Sequence, residues 1–137
     1  MNFVWFDYES SGSRVNTDQV LEGSIVLTDD RFKILEKKEL RCRLKHNIVP
    51  TIGALLVNNI SVETLQNAPL SHYQFVLENH KWFENFSPAY FTGYNVQGFD
   101  IEFYRRMLFK NLLPNWYQTN PNGNKIHDLL PHIRVAK

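Results

Sequence analysis

Two acids, Asp7 and Glu9, close the aromatic stretch FVWFDYESSG at residues 3–12, and a third, Asp100, ends GYNVQGFD at residues 93–100. On an extended strand residues i and i+2 point to one face, so Asp7 and Glu9 project together near the strand's C-terminal end. Two neighbouring anions repel, and burying both ionised is costly, so the pair demands open solvent or a bound cation. Carboxylate oxygens of this kind suit Mg²⁺ or Mn²⁺, which bind acidic side chains together with substrate phosphates. A strand ending at a wet loop accounts for Asp7 and Glu9 as well, and an Asp at a helix start is common because it satisfies free N–H groups. What separates these readings is whether Asp100 reaches the pair. In an α/β sheet the ends of neighbouring strands share one crevice, where ligands bind, and this order of elements can bring the three acids there.

The elements that must position them follow from periodicity. Residues 2–7 predict a central strand covered on both faces. Residues 10–18 read as a loop, residues 19–28 as a second strand, and Asp29-Asp30 as a turn. Residues 32–44 alternate, with Phe32, Ile34, Leu40, Cys42 and Leu44 sharing parity, which predicts a half-buried third strand antiparallel to the second. The period then changes. Residues 50–53 read as a loop, Ser61-x-x-Thr64 opens a short helix, and residues 71–86 place Phe75, Val76, Trp82, Phe83 and Phe86 near helical spacing. Residues 89–94 make a compact apolar strand. Residues 99–113 make a helix with Ile101, Tyr104, Leu108 and Leu112 on one side and Arg105, Arg106 and Lys110 mostly on the other, ended by Pro114. Residues 115–125 are turn-rich, which predicts a mobile loop, and Asp128 caps a last helix. The sum is an α/β domain whose mixed sheet joins a three-strand antiparallel meander to a parallel strand, flanked by helices.

Composition bounds the partners. A chain of 137 residues is one domain or less, and a net charge of +1 describes neither a basic nucleic-acid coat nor an acidic tail, so a polyanion site must be local. The single Cys42 excludes an internal disulfide framework and a cysteine zinc finger, and fits a reducing, cytoplasmic setting. No apolar run reaches the roughly 18 residues of a membrane span.

FDYESSG resembles the first motif (Asp-x-Glu), and GYNVQGFD the second motif, of the DEDD family of 3′-to-5′ exonucleases. PTIGALLVNNIS resembles the family's segment beside the terminal nucleotide, and HDLLPHIR its helix after the second motif. The pattern is closest to the bacterial exonuclease I group, which degrades single-stranded DNA, and it covers nearly the whole chain. The resemblance implies a ribonuclease H-like fold with Asp7, Glu9 and Asp100 as catalytic metal ligands, Asp7 bridging two Mg²⁺ or Mn²⁺ ions and Asp100 binding the second. Such a pair of ions lowers the pKa of an attacking water and stabilises the leaving 3′-oxygen. By the same resemblance Glu9 would reach the terminal 3′-hydroxyl, and the backbone and hydroxyls around Tyr8 and Ser10 would hold the same nucleotide. Leu55, Asn59 and Asn95 are further candidates for its base or sugar, against core packing for Leu55 and loop hydrogen bonding for the asparagines. The implied partners are a single-stranded 3′ end and a single-strand-binding protein, in DNA repair.

The family completes its site with a later motif, an Asp preceded by a His or Tyr general base, downstream of the DLL helix. Residues 1–137 are therefore expected to be the N-terminal part of an exonuclease domain, C-terminally incomplete, without that last motif and feeble in hydrolysis. His127 and His132 read as exposed or packed around the DLL helix, and His46, His72 and His80 have no carboxylate partner at informative spacing. VNNIS also departs from the family's more usual glycine before the Ile, with Asn59 in its place. The alternatives are an exoribonuclease of the same fold, since nothing in the sequence shows how a 2′-hydroxyl is treated, and a non-catalytic module that binds nucleic acid or protein. Trp5, Trp82 and Phe83 could stack on bases, but aromatics at core spacing are more often core. Arg105, Arg106 and Lys110 could contact phosphate or form a solvated face.

Overall fold

The computed structural model describes residues 1–113 and 123–136. The chain opens with β1 (Asn2–Ser10) and continues through β2 (Val20–Thr28), β3 (Ile34–Arg41), α1 (Ile52–Asn58), α2 (Val62–Gln66), α3 (His72–Phe86), β4 (Ala89–Gly93), α4 (Asp100–Lys110), β5 (Lys125–Asp128) and α5 (Leu130–Ala136). The strands form one sheet in the order β3-β2-β1-β4-β5. The meander β1-β2-β3 is antiparallel, and β4 and β5 run parallel to β1. No described helix is long and apolar enough to cross a membrane.

Alternation along β1 divides the molecule. Val4, Phe6 and Tyr8 are buried against Phe75 and Phe83 of α3 and Tyr104 and Leu108 of α4, which makes the main core. Phe3, Trp5, Asp7 and Glu9 point the other way, where Phe3 packs against Trp5, Phe32 and Tyr90. The sequence expectation of a strand covered on both faces is thus corrected. β1 is central, but its second face carries an aromatic layer that stays half exposed and ends at the two acids. Strong apolar content alone does not distinguish a face packed under helices from one packed on its own neighbours.

The third strand also differs from its expected pattern. Leu40 and Cys42 are buried, yet Phe32 and Ile34 are 60% and 51% exposed. An irregularity in the β2–β3 pairing between Leu27 and Thr28 sets Ile34 beside Thr28, whose hydroxyl accepts the Trp5 indole N–H. One residue of slip flips every side chain, so Phe32 and Ile34 leave the face of Leu40 for the aromatic face.

Helix signals were more legible. Ser71 and Gln74 form a reciprocal capping box at the start of α3, and Ser61 caps α2. The 50–53 loop is shorter than expected, because Thr51 caps α1, which takes in Ile52 and Gly53. Leu112, expected on the buried side of α4, lies beyond its end at Lys110 and is 94% exposed. Of the expected mobile loop 115–125, residues 115–122 lie outside the described residues. At its far end Asn124 is buried and bonds the Ala89 N–H and the Ser87 hydroxyl, and Lys125 opens β5, a four-residue strand too short for periodicity to mark.

Candidate metal and nucleotide site

β1 and β4 pair only from Asn2 with Ala89 to Trp5 with Thr92, although β1 continues to Ser10. The strands part there because β4 ends at Gly93. A Cβ on Gly93 would lie 2.4 Å from Val96 Cγ1 and 3.0 Å from the Phe6 carbonyl oxygen, so glycine permits the close exit. The following loop is held by Asp128 at the end of β5. Its carboxylate accepts the N–H groups of Asn95 at 2.8 Å, Gln97 at 3.1 Å and Leu130 at 3.0 Å. Val96 is buried between the first two. This loop delivers Asp100, 2% exposed, to the unpaired edge of β1, where its Oδ1 accepts the Tyr8 N–H at 3.0 Å.

Asp100 is not the cap of its helix. The N-cap position of α4 is Phe99, which makes no side-chain cap bond, and the Asp100 carboxylate turns to the strand that bears Asp7 and Glu9. Asp7 and Glu9 both raise Asp100, and Asp7 raises Glu9. Burial pushes the Asp100 carboxyl up to about 7, with Asp7 and then Glu9 adding to it against the Tyr8 N–H. Burial lifts Asp7, and burial followed by the Asp7 charge lifts Glu9. Contact between the two carboxyls lowers Asp7 and raises Glu9. Among the described residues no three His, Cys, Asp or Glu side chains already stand in a metal-holding arrangement. What the fold assembles is a cluster of hard oxygen donors short of positive charge, and that donor chemistry fits Mg²⁺ or Mn²⁺.

Beside the acids lies a cleft of about 340 Å³, between Glu9, Phe99 and the near side of α1. Gly53, Ala54, Val57 and Asn58 line it, and Val57 is 85% exposed. Asn58, which sequence reasoning passed over, ties α1 to β1 by donating Nδ2–H to the Ser10 carbonyl at 3.0 Å. Among the described residues no histidine lines this cleft.

The expected nucleotide contacts are redistributed by packing. Tyr8 and Ser10 border the cleft, but the Tyr8 hydroxyl is buried on the helix-covered face and donates to Asn79 Oδ1 at 2.6 Å. The Ser10 hydroxyl turns into its own loop, donating to the Gly12 carbonyl. Leu55 packs on Leu21, Ile60 and Leu65, away from the cleft. Asn59 sits in left-handed backbone at the C-cap of α1, where its N–H bonds the Leu55 carbonyl. Asn95, also left-handed at φ 57°, gives its N–H to Asp128. His80, expected to lack a carboxylate, has Glu84 at 3.5 Å one turn along α3, while its Nδ1 meets the Tyr104 hydroxyl.

No family model matches the chain. A curated relative, the exodeoxyribonuclease I of Buchnera aphidicola subsp. Schizaphis graminum, is 27% identical over 137 residues, 99% of this chain and 28% of its own length. The crystal structure of E. coli exonuclease I in complex with a 5cy-dA13 oligonucleotide superposes with a TM-score of 0.92 at 24% identity, over 98% of this chain and 29% of that one. The chain is similar to exodeoxyribonuclease I over nearly its whole length. An ExoI/SSB-Ct complex matches with a TM-score of 0.91 at 24% identity, over 98% of this chain and 30% of that one. The likeness carries the fold, the expected ribonuclease H-like mixed sheet. The chain spans about 28% of the length of the curated relative it matches.

Proposed function

We propose that this chain supplies the carboxylate centre of a DEDD-type nuclease, a metal-dependent 3′-to-5′ exonuclease of single-stranded DNA, as the N-terminal portion of its exonuclease domain. The observation that carries this reading is the Asp100 bond to the Tyr8 N–H, which sets a buried acid against the strand bearing Asp7 and Glu9. Asp7, Glu9 and Asp100 would hold Mg²⁺ or Mn²⁺, and the bound ions would supply a lowered water pKa and charge stabilisation at the leaving oxygen. The chain's own residues do the rest. Glu9 stands at the junction of acids and cleft, placed to meet a terminal 3′-hydroxyl, while Phe99, Ala54 and Val57 offer apolar surface to a terminal base. The backbone of Tyr8 and Ser10 floors the cleft. The similarity to exodeoxyribonuclease I, which includes structures with oligonucleotides and with SSB-Ct, supports a single-stranded 3′ end as substrate and a single-strand-binding protein as partner. Cys42 is buried, its thiol pushed up to about 11 by burial, which leaves it inert and suits the cytoplasm.

Hydrolysis by these 137 residues is feeble on this reading, because among the described residues no histidine lines the cleft to serve as general base. The test pairs Mn²⁺ titration with digestion of 5′-labelled DNA and RNA oligomers. Asp7→Ala should abolish metal binding while the fold stays intact, and the trace products should be shortened from the 3′ end of DNA. An unchanged Mn²⁺ titration in Asp7→Ala removes the metal site and leaves a binding module. Preference for the RNA oligomer reassigns the substrate to RNA.

A further inference from the structure

On the far side of the β1–β2 loop from the acids, three cations converge on a half-open recess. Lys45 enters from the segment after β3, Arg106 and Lys110 from α4, and His72 from the start of α3. Among the described residues no ion pair engages Lys45, Arg106 or Lys110. Lys110 Nζ donates to the Asn16 carbonyl at 2.8 Å, which fixes it at the rim without neutralising it. The recess has one carboxylate, Asp18, and its oxygens are already taken by the Ser11 hydroxyl and the Arg14 N–H. Like charges so gathered oppose one another. Burial and then Lys45 and Arg106 hold Lys110 below the usual lysine range, and burial with Lys45 and Lys110 holds His72 at about 4. The His72 imidazole is therefore neutral at pH 7, and its Nδ1 is sealed from solvent without a hydrogen-bond partner.

The recess is not isolated. Thr17, Asp18 and Ile48 are shared with a groove of about 440 Å³ that also holds Arg14, and that groove shares Ser13 and Thr51 with the nucleotide cleft. A continuous path thus runs from Glu9 past Arg14 and Asp18 to the Lys45, Arg106 and Lys110 cluster.

We infer that this recess is a phosphate-binding site, in which Lys45, Arg106 and Lys110 face the anion and His72 forms part of the wall. Its ligand is a phosphate monoester or diester. Point charges on flexible lysines beside one guanidinium suit such an anion. That the phosphate belongs to a nucleic-acid strand threaded along the groove rests on the exonuclease reading; a free phosphate or mononucleotide offers the same chemistry.

The two sources are separated by titrating the 137-residue chain in EDTA, so that no metal-dependent step intervenes. Inorganic phosphate is followed by the NMR shifts of the His72 imidazole and the Arg106 amide. A labelled oligothymidylate is followed by anisotropy across a range of salt. Phosphate should move His72 and Arg106 in a saturable way, and Lys45→Gln with Lys110→Gln should abolish the effect, whereas Lys33→Gln in the β2–β3 turn should not. For the oligonucleotide the same double variant should lower the log affinity against log salt slope by about 1.4, from roughly 0.7 per lost single-strand contact. A reduced slope assigns the strand; phosphate shifts with an unchanged slope keep the site and give it to free phosphate. Unmoved His72 and Arg106 together with an unchanged slope overturn the inference. Both titrations are made without metal, so failure of the metal centre and failure of the recess are read apart.

Discussion

The Asp100 carboxylate accepts the Tyr8 N–H at 3.0 Å across 92 residues of sequence, and it does so where β1 has lost its pairing with β4. A backbone donor that a neighbouring strand would otherwise satisfy is satisfied by an acid. The acid is held in a dry position, its pKa lifted from 3.8 to about 7. Between those values the folded chain binds more protons than the unfolded one, so stability falls as pH rises from below 3.8 and levels off above about 7. At about 1.4 kcal/mol per unit the loss is on the order of 2–4 kcal/mol. Urea midpoints of metal-free protein should therefore fall between about pH 4.5 and 7.5. Asp100→Asn, which keeps an oxygen for Tyr8 and discards the charge, should flatten much of that slope and be the more stable chain at the alkaline end.

Asp7 and Glu9 give the complementary result with metal. Each carboxyl is lifted by burial, so a divalent ion competes with protons for the pair. Asp7→Asn and Glu9→Gln should each weaken Mn²⁺ binding by at least about tenfold, or 1.4 kcal/mol, by water-proton relaxation. Neither should destabilise the metal-free chain, because each removes one of two repelling charges. Mn²⁺ affinity of the parent chain should rise with pH through the range in which Asp100 ionises.

The acids could be read from the sequence because i and i+2 parity and a short motif after a strand are local facts. The same held for α3, whose capping box lies within four residues. Less legible was everything set by long-range contacts. The slip at Leu27 and Thr28 moves Phe32 to the aromatic face, and no pattern within β3 announces it. Tyr8 had the right residue type for a nucleotide contact, but Asn79, 71 residues away, claims its hydroxyl. Leu55 packs on Leu21, Ile60 and Leu65, a contact that no local pattern announces. Asp128 was legible as a cap for Leu130, yet its bonds to Asn95 and Gln97 span more than thirty residues.

Gly93 tests the geometry that parts the strands. Any Cβ there meets Val96, which is fully buried, and the Phe6 carbonyl, which belongs to the central strand, so neither neighbour can give way cheaply. Gly93→Ala should cost about 1–3 kcal/mol in urea denaturation, the range for overpacking a tight interior. If the loop relaxes by moving Val96 outward, Asp100 moves with it, and Mn²⁺ affinity should fall along with stability.

Asp128 offers the sharper test of how Asp100 is positioned, because it touches neither the acids nor the cleft. Its carboxylate gathers three N–H groups from the 94–99 loop and the start of α5, and Asn95 stands at a positive φ that such anchoring must maintain. Removing the acceptor leaves those donors to water and frees the loop, at a cost of about 1–3 kcal/mol for hydrogen bonds to a charged group. Asp128→Ala should accordingly speed hydrogen exchange at the Asn95 and Gln97 amides and weaken Mn²⁺ binding, although no ligand has been changed. Asp128→Asn keeps one acceptor oxygen and turns an amide toward the remaining N–H donors, so it should restore the affinity only in part. Faster exchange in Asp128→Ala with unaltered Mn²⁺ affinity would mean that Asp100 is held by its bond to Tyr8 alone.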